Sequence, residues 1–511
     1  MLIIHPPLTK PCEPPAALAY LAAALLAHGH PCTICDMNIE GLHALFATAV
    51  AAEDTWSRRA FKHLKQNIKA LQTSETYHNE DRYRRATADV NRVLEITGKR
   101  FGLQLSLANY QDETKSPLKS SDLRLAKKEY AANIFFPYFS NRLEQLLEAG
   151  NSRYIGFSLN YLSQALCTFA MIGFLRDNHP EVQIILGGGL VTSWLSSPGW
   201  RDPFGGLVDH FIGGQGEAPL LALLGTQKRP GHVRPDYTGL KDNGYLSPGF
   251  ILPYATSFGC FWKKCSFCPE TSEDNPYRQV IPETTTADLR ALSTATSPIL
   301  IHLLDNAISP STLRALTKRP PKIPWYGFAR FDTLLADRQF CQRLKDTGCR
   351  MLKLGLESGD QGVLDKMRKG IKLKLVAKVL ENLHDVGIAS YVYLLFGTPS
   401  ESHREAERTL RFVEEYHSAI SFLNLAIFNL PACSPEISGL EVDDFYEGDL
   451  SIYRSFTHPK GWDRGEVRRF LESTFKRSPA IAGILRHDPP FFTSNHAPFI
   501  QKQKSATGHL R

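Results

Sequence analysis

The 511-residue sequence predicts an α/β protein: a doubly wound parallel sheet with a helical insertion, then a partial (β/α)6 barrel and a small C-terminal segment. Three observations predict it. Short apolar runs alternate with helical stretches over residues 1–228, and the same rhythm restarts over 249–440 after a linker at 229–248. Two apolar runs of the first half lead straight into glycine clusters, Gly187-Gly188-Gly189 and Gly213-Gly214-Gln215-Gly216. The second half opens with three closely spaced cysteines, Cys260, Cys265 and Cys268, directly after its first apolar run.

Leu2-Ile3-Ile4-His5 reads as a buried strand stopped by Pro6-Pro7. Pro14-Pro15 then introduces an Ala- and Leu-rich helix over 16–28, with Gly29 at its end. Further strands are expected at 31–36, 153–158, 182–186 and 209–212, and a helix over 163–178. Ligands of such sheets bind beyond the carboxyl ends of the strands, and glycine there lets a bulky ligand approach the backbone. An insertion of about 110 residues, 40–150, separates the second and third strands. Its Ala, Leu, Lys, Arg and Glu content predicts helices up to about residue 97, then a looser link over 99–122. Its size suits a lid or a partner-binding element. Arg82, Arg84, Arg85, Arg92, Lys99 and Arg100 are read as a solvated face.

In the second half, strands are expected at 254–256, 299–304, 325–329, 351–356, 390–395 and 423–430. Helices fit at 286–294, 310–318, 336–347, 360–368, 373–386 and 402–416. Six such units closing part of a circle place the chemistry at the strand carboxyl ends, and the cysteine loop follows the first strand onto that rim. Pocket residues are expected from 423–435 and from the C-terminal segment, 441–511. That segment holds a helix over 464–475 and a polar-aromatic run, Asn495-His496-Ala497-Pro498-Phe499, a candidate to reach back to the site.

Hydrophobic residues make up 43% and charged residues 22%, an ordinary globular composition. The net charge of +7 is spread along the chain; it permits an anionic ligand and does not point to nucleic acid. No apolar run of about 18 residues occurs, so no membrane span is expected. The N-terminus lacks the basic stretch and cleavage site of an export signal. Of ten cysteines only three cluster, which argues against a disulfide framework and for a reducing cytoplasm. Cys32 and Cys35 fall in an expected strand and are read as small buried residues.

Three thiols within nine residues let one loop wrap a single metal or cluster. A closed structural zinc site takes four protein ligands, and no fourth cysteine stands nearby. Either a distant His or Cys completes a zinc knuckle, or three thiolates hold an iron–sulfur cluster with one iron open to a ligand.

Other motifs accompany the cysteines. The first half has Pro6-Pro7, Pro14-Pro15 and the two glycine clusters, the second of which runs into Glu217. The second half has Ser257-Phe258-Gly259-Cys260, Cys265-Ser266-Phe267-Cys268, Asp305-Asn306-Ala307 and Ala329-Arg330-Phe331-Asp332. Gly355-Leu356-Glu357-Ser358-Gly359, Met367-Arg368-Lys369-Gly370 and Phe396-Gly397-Thr398-Pro399 follow. Over roughly residues 1–440 this set resembles the radical S-adenosylmethionine (SAM) superfamily, specifically members with an N-terminal cobalamin-binding domain. The first cysteine interval holds four residues, where three is commonest in the superfamily. No Asp-x-His-x-x-Gly segment is present, so no lower-face His ligand to cobalt is expected.

The resemblance implies a cobalamin-binding-like Rossmann sheet followed by a radical SAM barrel. It implies a [4Fe-4S] cluster on Cys260, Cys265 and Cys268, with SAM on the open iron. Phe267, Asp305, Arg330, Glu357, Ser358 and Gly397 are the implied SAM contacts. Cobalamin would be cradled by Ser158, Leu159, Gly187, Gly188, Gly189, Gly213, Gly214 and Gly216. No side chain is assigned as catalytic, because the cofactors carry the chemistry. The implied activity is reductive cleavage of SAM to a 5′-deoxyadenosyl radical and C-methylation of an unactivated carbon. The substrate would be a small molecule or peptide, and an external one-electron reductant of flavodoxin or ferredoxin type would supply electrons. The alternatives are radical rearrangement or cyclisation, modification of a ribosomally made peptide, and a non-catalytic iron–sulfur binding or maturation module. Cys349 and Cys433 are read as packing thiols.

Overall fold

A computed structural model describes residues 1–48, 54–150, 152–226, 231–444, 448–489 and 497–504. The chain divides into two compact units, one built on Met1–Ile251 and the other chiefly on Leu252–Phe445 and Tyr453–Pro489.

In the first unit five strands form a parallel sheet: β1 (Leu2–His5), β2 (Thr33–Asp36), β3 (Tyr154–Ser158), β4 (Gln183–Gly187) and β5 (His210–Ile212). Their order is β2-β1-β3-β4-β5. The winding reverses at β1, so the topological switch point lies between the carboxyl ends of β1 and β3. β1 is buried at every position, as an inner strand of such a sheet must be. Helix Leu162–Asn178 is buried continuously from Gln164 to Leu175. A helix apolar all round needs cover on both faces. Helix Ser120–Lys128 of the insertion covers it so closely that a Cβ on Gly173 would lie 2.1 Å from the Lys127 carbonyl oxygen.

The insertion is helical as far as Glu80–Lys99. The stretch after it, expected to be loose, instead holds a hairpin of Leu103–Leu105 against Tyr110–Asp112. Each hairpin strand is three residues long, too short for alternation to register in sequence. The expected basic face carries exposed ion pairs, among them Arg84–Glu80 at 2.6 Å and Lys99–Glu95 at 3.0 Å. Cys35 is buried and Cys32 half-buried.

The second unit holds six strands in chain order: β6 (Ile251–Tyr254), β7 (Leu300–Leu303), β8 (Trp325–Ala329), β9 (Cys349–Glu357), β10 (Ala389–Phe396) and β11 (Phe422–Ile427). The pairs from β7 to β11 are parallel. Helices Pro282–Thr296, Pro310–Lys318, Arg338–Asp346, Gln361–Lys366, Leu373–Val386 and His403–Glu415 alternate with the strands. Several boundaries differ from expectation by one to four residues, and two of them bear on the site. β6 starts three residues earlier and stops at Tyr254, short of Thr256, whose N–H is taken by the Asp305 side chain. The helix expected through 368 ends at Lys366, where Arg368 (φ +51°) and Gly370 (φ +70°) turn left-handed and carry the chain off the helix axis. Among the described residues Ala497–Lys504 forms a 3-10 helix against β9, while Asn495 and His496 lie outside the described residues. No described helix is long and apolar enough to cross a membrane.

Gly173→Ala is expected to destabilise the first unit by about 1–3 kcal/mol through overpacking against Lys127. Gly483→Ala, in helix Pro479–Leu485 with nothing within 4 Å of the added Cβ, is expected to stabilise by about 0.5–1 kcal/mol. Urea denaturation of the two variants measures both.

Candidate active site

The loop bearing the three cysteines leaves the carboxyl end of β6 and is tied at its root. Ser257–Phe258 pairs antiparallel with Arg278–Gln279. Asp305, just beyond β7, accepts from Thr256 N–H at 3.1 Å, from the Thr256 hydroxyl at 2.6 Å and from the Ser257 hydroxyl at 2.6 Å. It is 1% exposed; burial raises its carboxyl above the usual range and these donors pull it back. Gly259 then turns the loop at φ +71°, where a Cβ would lie 2.6 Å from the Pro276 carbonyl oxygen.

Cys265 is buried, and Cys260 and Cys268 are half-buried. Burial pushes the Cys265 thiol up, while the Lys369 and Arg330 cations pull it down. Burial pushes Cys268 up to about 11, opposed by the backbone N–H of Glu270. Cys265 and Cys268 both feel Cys260, so the three thiols lie within electrostatic reach of one another. Among the described residues no group of three or more His, Cys, Asp or Glu side chains stands in ligating arrangement. The donor chemistry is that of an iron–sulfur ligand set: three soft sulfur donors on one loop, with the Lys369 and Arg330 cations beside Cys265.

Behind the loop, β9 ends at Glu357, a left-handed residue (φ +68°) whose carboxylate meets the Lys369 ammonium at 2.7 Å. The two side chains are 12% and 10% exposed. The same ammonium lies 5.6 Å from the Phe267 ring centre. Arg330, following β8, donates to the Lys369 carbonyl and stacks 4.3 Å from the Trp262 ring centre. Ser358 is fully buried; its hydroxyl lies 3.2 Å from that of Thr409 and accepts the Asp360 N–H at 3.1 Å. Lys369 and Trp262 are absent from the contacts expected from sequence. The run Met367-Arg368-Lys369-Gly370 carried the signal, but the aim of the lysine depends on two left-handed residues flanking it.

Gly397 ends β10 and donates its N–H to Glu401 Oε2 at 2.6 Å, and Trp462 Nε1–H donates to the same oxygen at 3.0 Å. The other Glu401 oxygen is buried without a partner. Burial raises the Glu401 carboxyl to about 7. His458 Nε2 lies 2.9 Å from the Thr398 carbonyl, so residues 458–462 strap the turn after β10. A cavity of about 210 Å³ opens beside this strap, between Gly397, Phe428, Asn429, Phe456, His458 and Trp462.

In the first unit the ends of β3 and β4 are tied by Asn160. Its amide donates to the Ser158 carbonyl and hydroxyl, both at 3.0 Å, and its oxygen accepts the Gly189 N–H at 3.0 Å. Gly187 accepts the Leu159 N–H at 2.7 Å. Gly188 (φ +112°) passes so close that a Cβ would lie 2.4 Å from the Leu159 oxygen. Gly213 and Gly216 pack against Leu195 and Leu21, and Gly214 (φ +69°) has open space around it.

A sequence profile of the Radical SAM superfamily matches residues 254–413. Residues 254–413 are a radical SAM domain. The domain takes in the cysteine loop, Asp305, Arg330, Glu357, Lys369 and Gly397. Hopanoid C-3 methylase of Methylococcus capsulatus is 26% identical over 274 residues, 47% of this chain and 52% of that protein. The chain thus spans about half the length of this curated relative. Among solved structures, the radical SAM methyltransferase TsrM from Kitasatospora setae, with tryptophan and a SAM analogue bound, superposes with a TM-score of 0.58 at 14% identity. That match covers 97% of this chain and 93% of the other. The cobalamin-dependent SAM radical enzyme OxsB, with aqua-cobalamin and SAM bound, gives 0.50 at 15% identity, over 68% and 64% of the two chains. At these identities the likeness is one of fold alone.

The raised Glu401 carboxyl yields a pH dependence. Its usual value is 4.5 and its folded value about 7, so its contribution to stability is full below about 4.5 and is lost as pH rises through about 7. Glu401→Gln keeps an oxygen for both N–H donors. Its stability relative to the parent is expected to climb between about pH 5 and pH 8, by on the order of 3 kcal/mol, in a series of thermal melts.

Proposed function

We propose that the chain is a cobalamin-dependent radical SAM enzyme that methylates an unactivated carbon. The observation that carries this reading is the cysteine loop, rooted at the strand-end rim of the radical SAM domain with Arg330, Glu357 and Lys369 packed behind it. Cys260, Cys265 and Cys268 would ligate three irons of a [4Fe-4S] cluster, leaving the fourth for the amino and carboxylate groups of SAM. When bound, the cluster supplies the electron that cleaves SAM, and the corrinoid supplies the methyl carrier. Arg330 offers the SAM carboxylate a bidentate partner, and Glu357 offers an acceptor to its ammonium or ribose hydroxyls. Phe267 offers a ring face to the adenine. Asp305, with both oxygens engaged, serves the site by holding the root of the loop.

The corrin would be cradled beyond the carboxyl ends of β3, β4 and β5, by the backbone of Ser158, Leu159 and Gly187–Gly189 and of Gly213, Gly214 and Gly216, of which Gly214 has open space around it. That location agrees with the rule that doubly wound sheets bind ligands at their carboxyl edge. The aromatic cavity beside Phe428, Phe456 and Trp462 is a candidate substrate pocket for a small molecule or a peptide side chain. Electrons would come from an external one-electron reductant.

Anaerobically reconstituted protein, given SAM, a corrinoid and a reductant, is expected to form 5′-deoxyadenosine. Cys265→Ala is expected to abolish both that product and the brown absorbance near about 400 nm. Absence of 5′-deoxyadenosine from the parent protein overturns the radical reading. Cleavage of SAM with no corrinoid retained, even from supplemented cells, removes the methyltransferase version.

A further inference from the structure

The four-residue spacer between Cys260 and Cys265 contains Trp262, and the structure gives this indole more partners than any other residue of the spacer. Its Nε1–H donates to the Arg368 carbonyl at 3.1 Å. Its six-membered ring abuts Gly370, where a Cβ would stand 2.0 Å from Cζ2 and 2.5 Å from Cη2. The Arg330 guanidinium sits 4.3 Å, and the Lys264 ammonium 4.9 Å, from its ring centre. A further tie runs beside it, from Ser266 N–H to the Met367 carbonyl at 3.1 Å.

Trp262 therefore grips Arg368 and Gly370 on either side of Lys369. Gly370 is glycine for two reasons that coincide: its φ of +70° and the absence of room for any side chain under the indole. Lys369 in turn reaches Glu357 with its ammonium and holds Arg330 through its carbonyl. Both cations that lower the Cys265 thiol are thus fixed relative to the loop by one ring that belongs to the loop.

From these contacts we infer that Trp262 is a positioning residue for the site proposed above. It clamps residues 368–370 onto the cysteine loop and so holds Arg330 and Lys369 as a pair of cations, placed to receive the carboxylate of an amino-acid cofactor bound at that loop. The inference rests on the radical SAM reading of the site and deepens it, since neither Trp262 nor Lys369 follows from the thiol ligands alone.

The test uses the full chain, anaerobically reconstituted, with SAM as the probe. Three readouts are taken. They are the iron content, the KM for SAM together with the kcat for deoxyadenosine release, and the change in electron paramagnetic resonance of the reduced protein on SAM titration. Trp262→Ala is expected to retain its iron, raise the SAM KM and the titration midpoint about tenfold, and change kcat much less. Trp262→Phe, which keeps a ring for Arg330 but loses the N–H, is expected to fall between. Gly370→Ala is expected to reproduce Trp262→Ala by expelling the indole, and the double variant to be no worse than Trp262→Ala. Trp262→Ala with the parent KM and titration midpoint overturns the inference. So does loss of iron in both tryptophan variants, which would make Trp262 a residue of loop folding only. A parent protein that binds iron and shifts its resonance with SAM but forms no 5′-deoxyadenosine fails the radical reading, while the titration still reads Trp262.

Discussion

The ion pair between Glu357 and Lys369 is the interaction on which the barrel rim depends. It is nearly buried, at 12% and 10% exposure, and it lies over Gly355, where a Cβ would stand 2.3 Å from Glu357 Oε1 and 2.7 Å from Lys369 Nζ and so displace the pair. Buried pairs of this kind contribute little net stability compared with apolar packing of the same volume. Breaking one by removing a single partner is costly, about 3–5 kcal/mol, because the survivor is left charged and dry. The pair is accounted for by what it positions. It pins the ammonium beside Phe267 and Cys265, and the backbone of the same lysine pins Arg330.

A common device operates at the strand ends of both units. A short polar side chain one or two residues past a strand spends its hydrogen bonds on the neighbouring loop, and glycine keeps that loop close. Asp305 does this for Thr256 and Ser257, with Gly259 two residues further on. Asn160 does it for Ser158 and Gly189, with Gly188 between. In each case the tied segment lies at the edge where ligands of parallel α/β architectures bind. The strap from His458 to Trp462 adds a third tie on the turn after β10, supplied by residues far along the chain.

Much of the scaffold was legible because inner strands of parallel sheets are continuous apolar runs bounded by turn residues. β1 and β8 fall on Leu2–His5 and Trp325–Ala329, as expected, and two of the helices match to the residue at Pro310–Lys318 and Leu373–Val386. The hairpin at 103–112 was not legible, since its strands gain their identity only by pairing. The early end of β6 goes with a hydrogen bond from Thr256 to Asp305, 49 residues away in sequence. Among site residues, the cysteines announce themselves by spacing and Glu357 by its place after an apolar run. Trp262 and Lys369 do not, because their roles arise from a helix that ends two residues early and turns left-handed. Asp305 and Ser358 were legible in position; their hydrogen bonds to Thr256, Ser257, Thr409 and Asp360 were not, because those partners meet them only in the fold.

On the proposed reading, three thiolates hold a four-iron cluster with one iron left for SAM. Mössbauer spectroscopy of protein reconstituted with labelled iron tests it most directly. About four irons per chain are expected, of which about one quarter change their isomer shift when SAM is added. A chain that binds zinc in place of iron, or a cluster in which no iron responds to SAM, contradicts it.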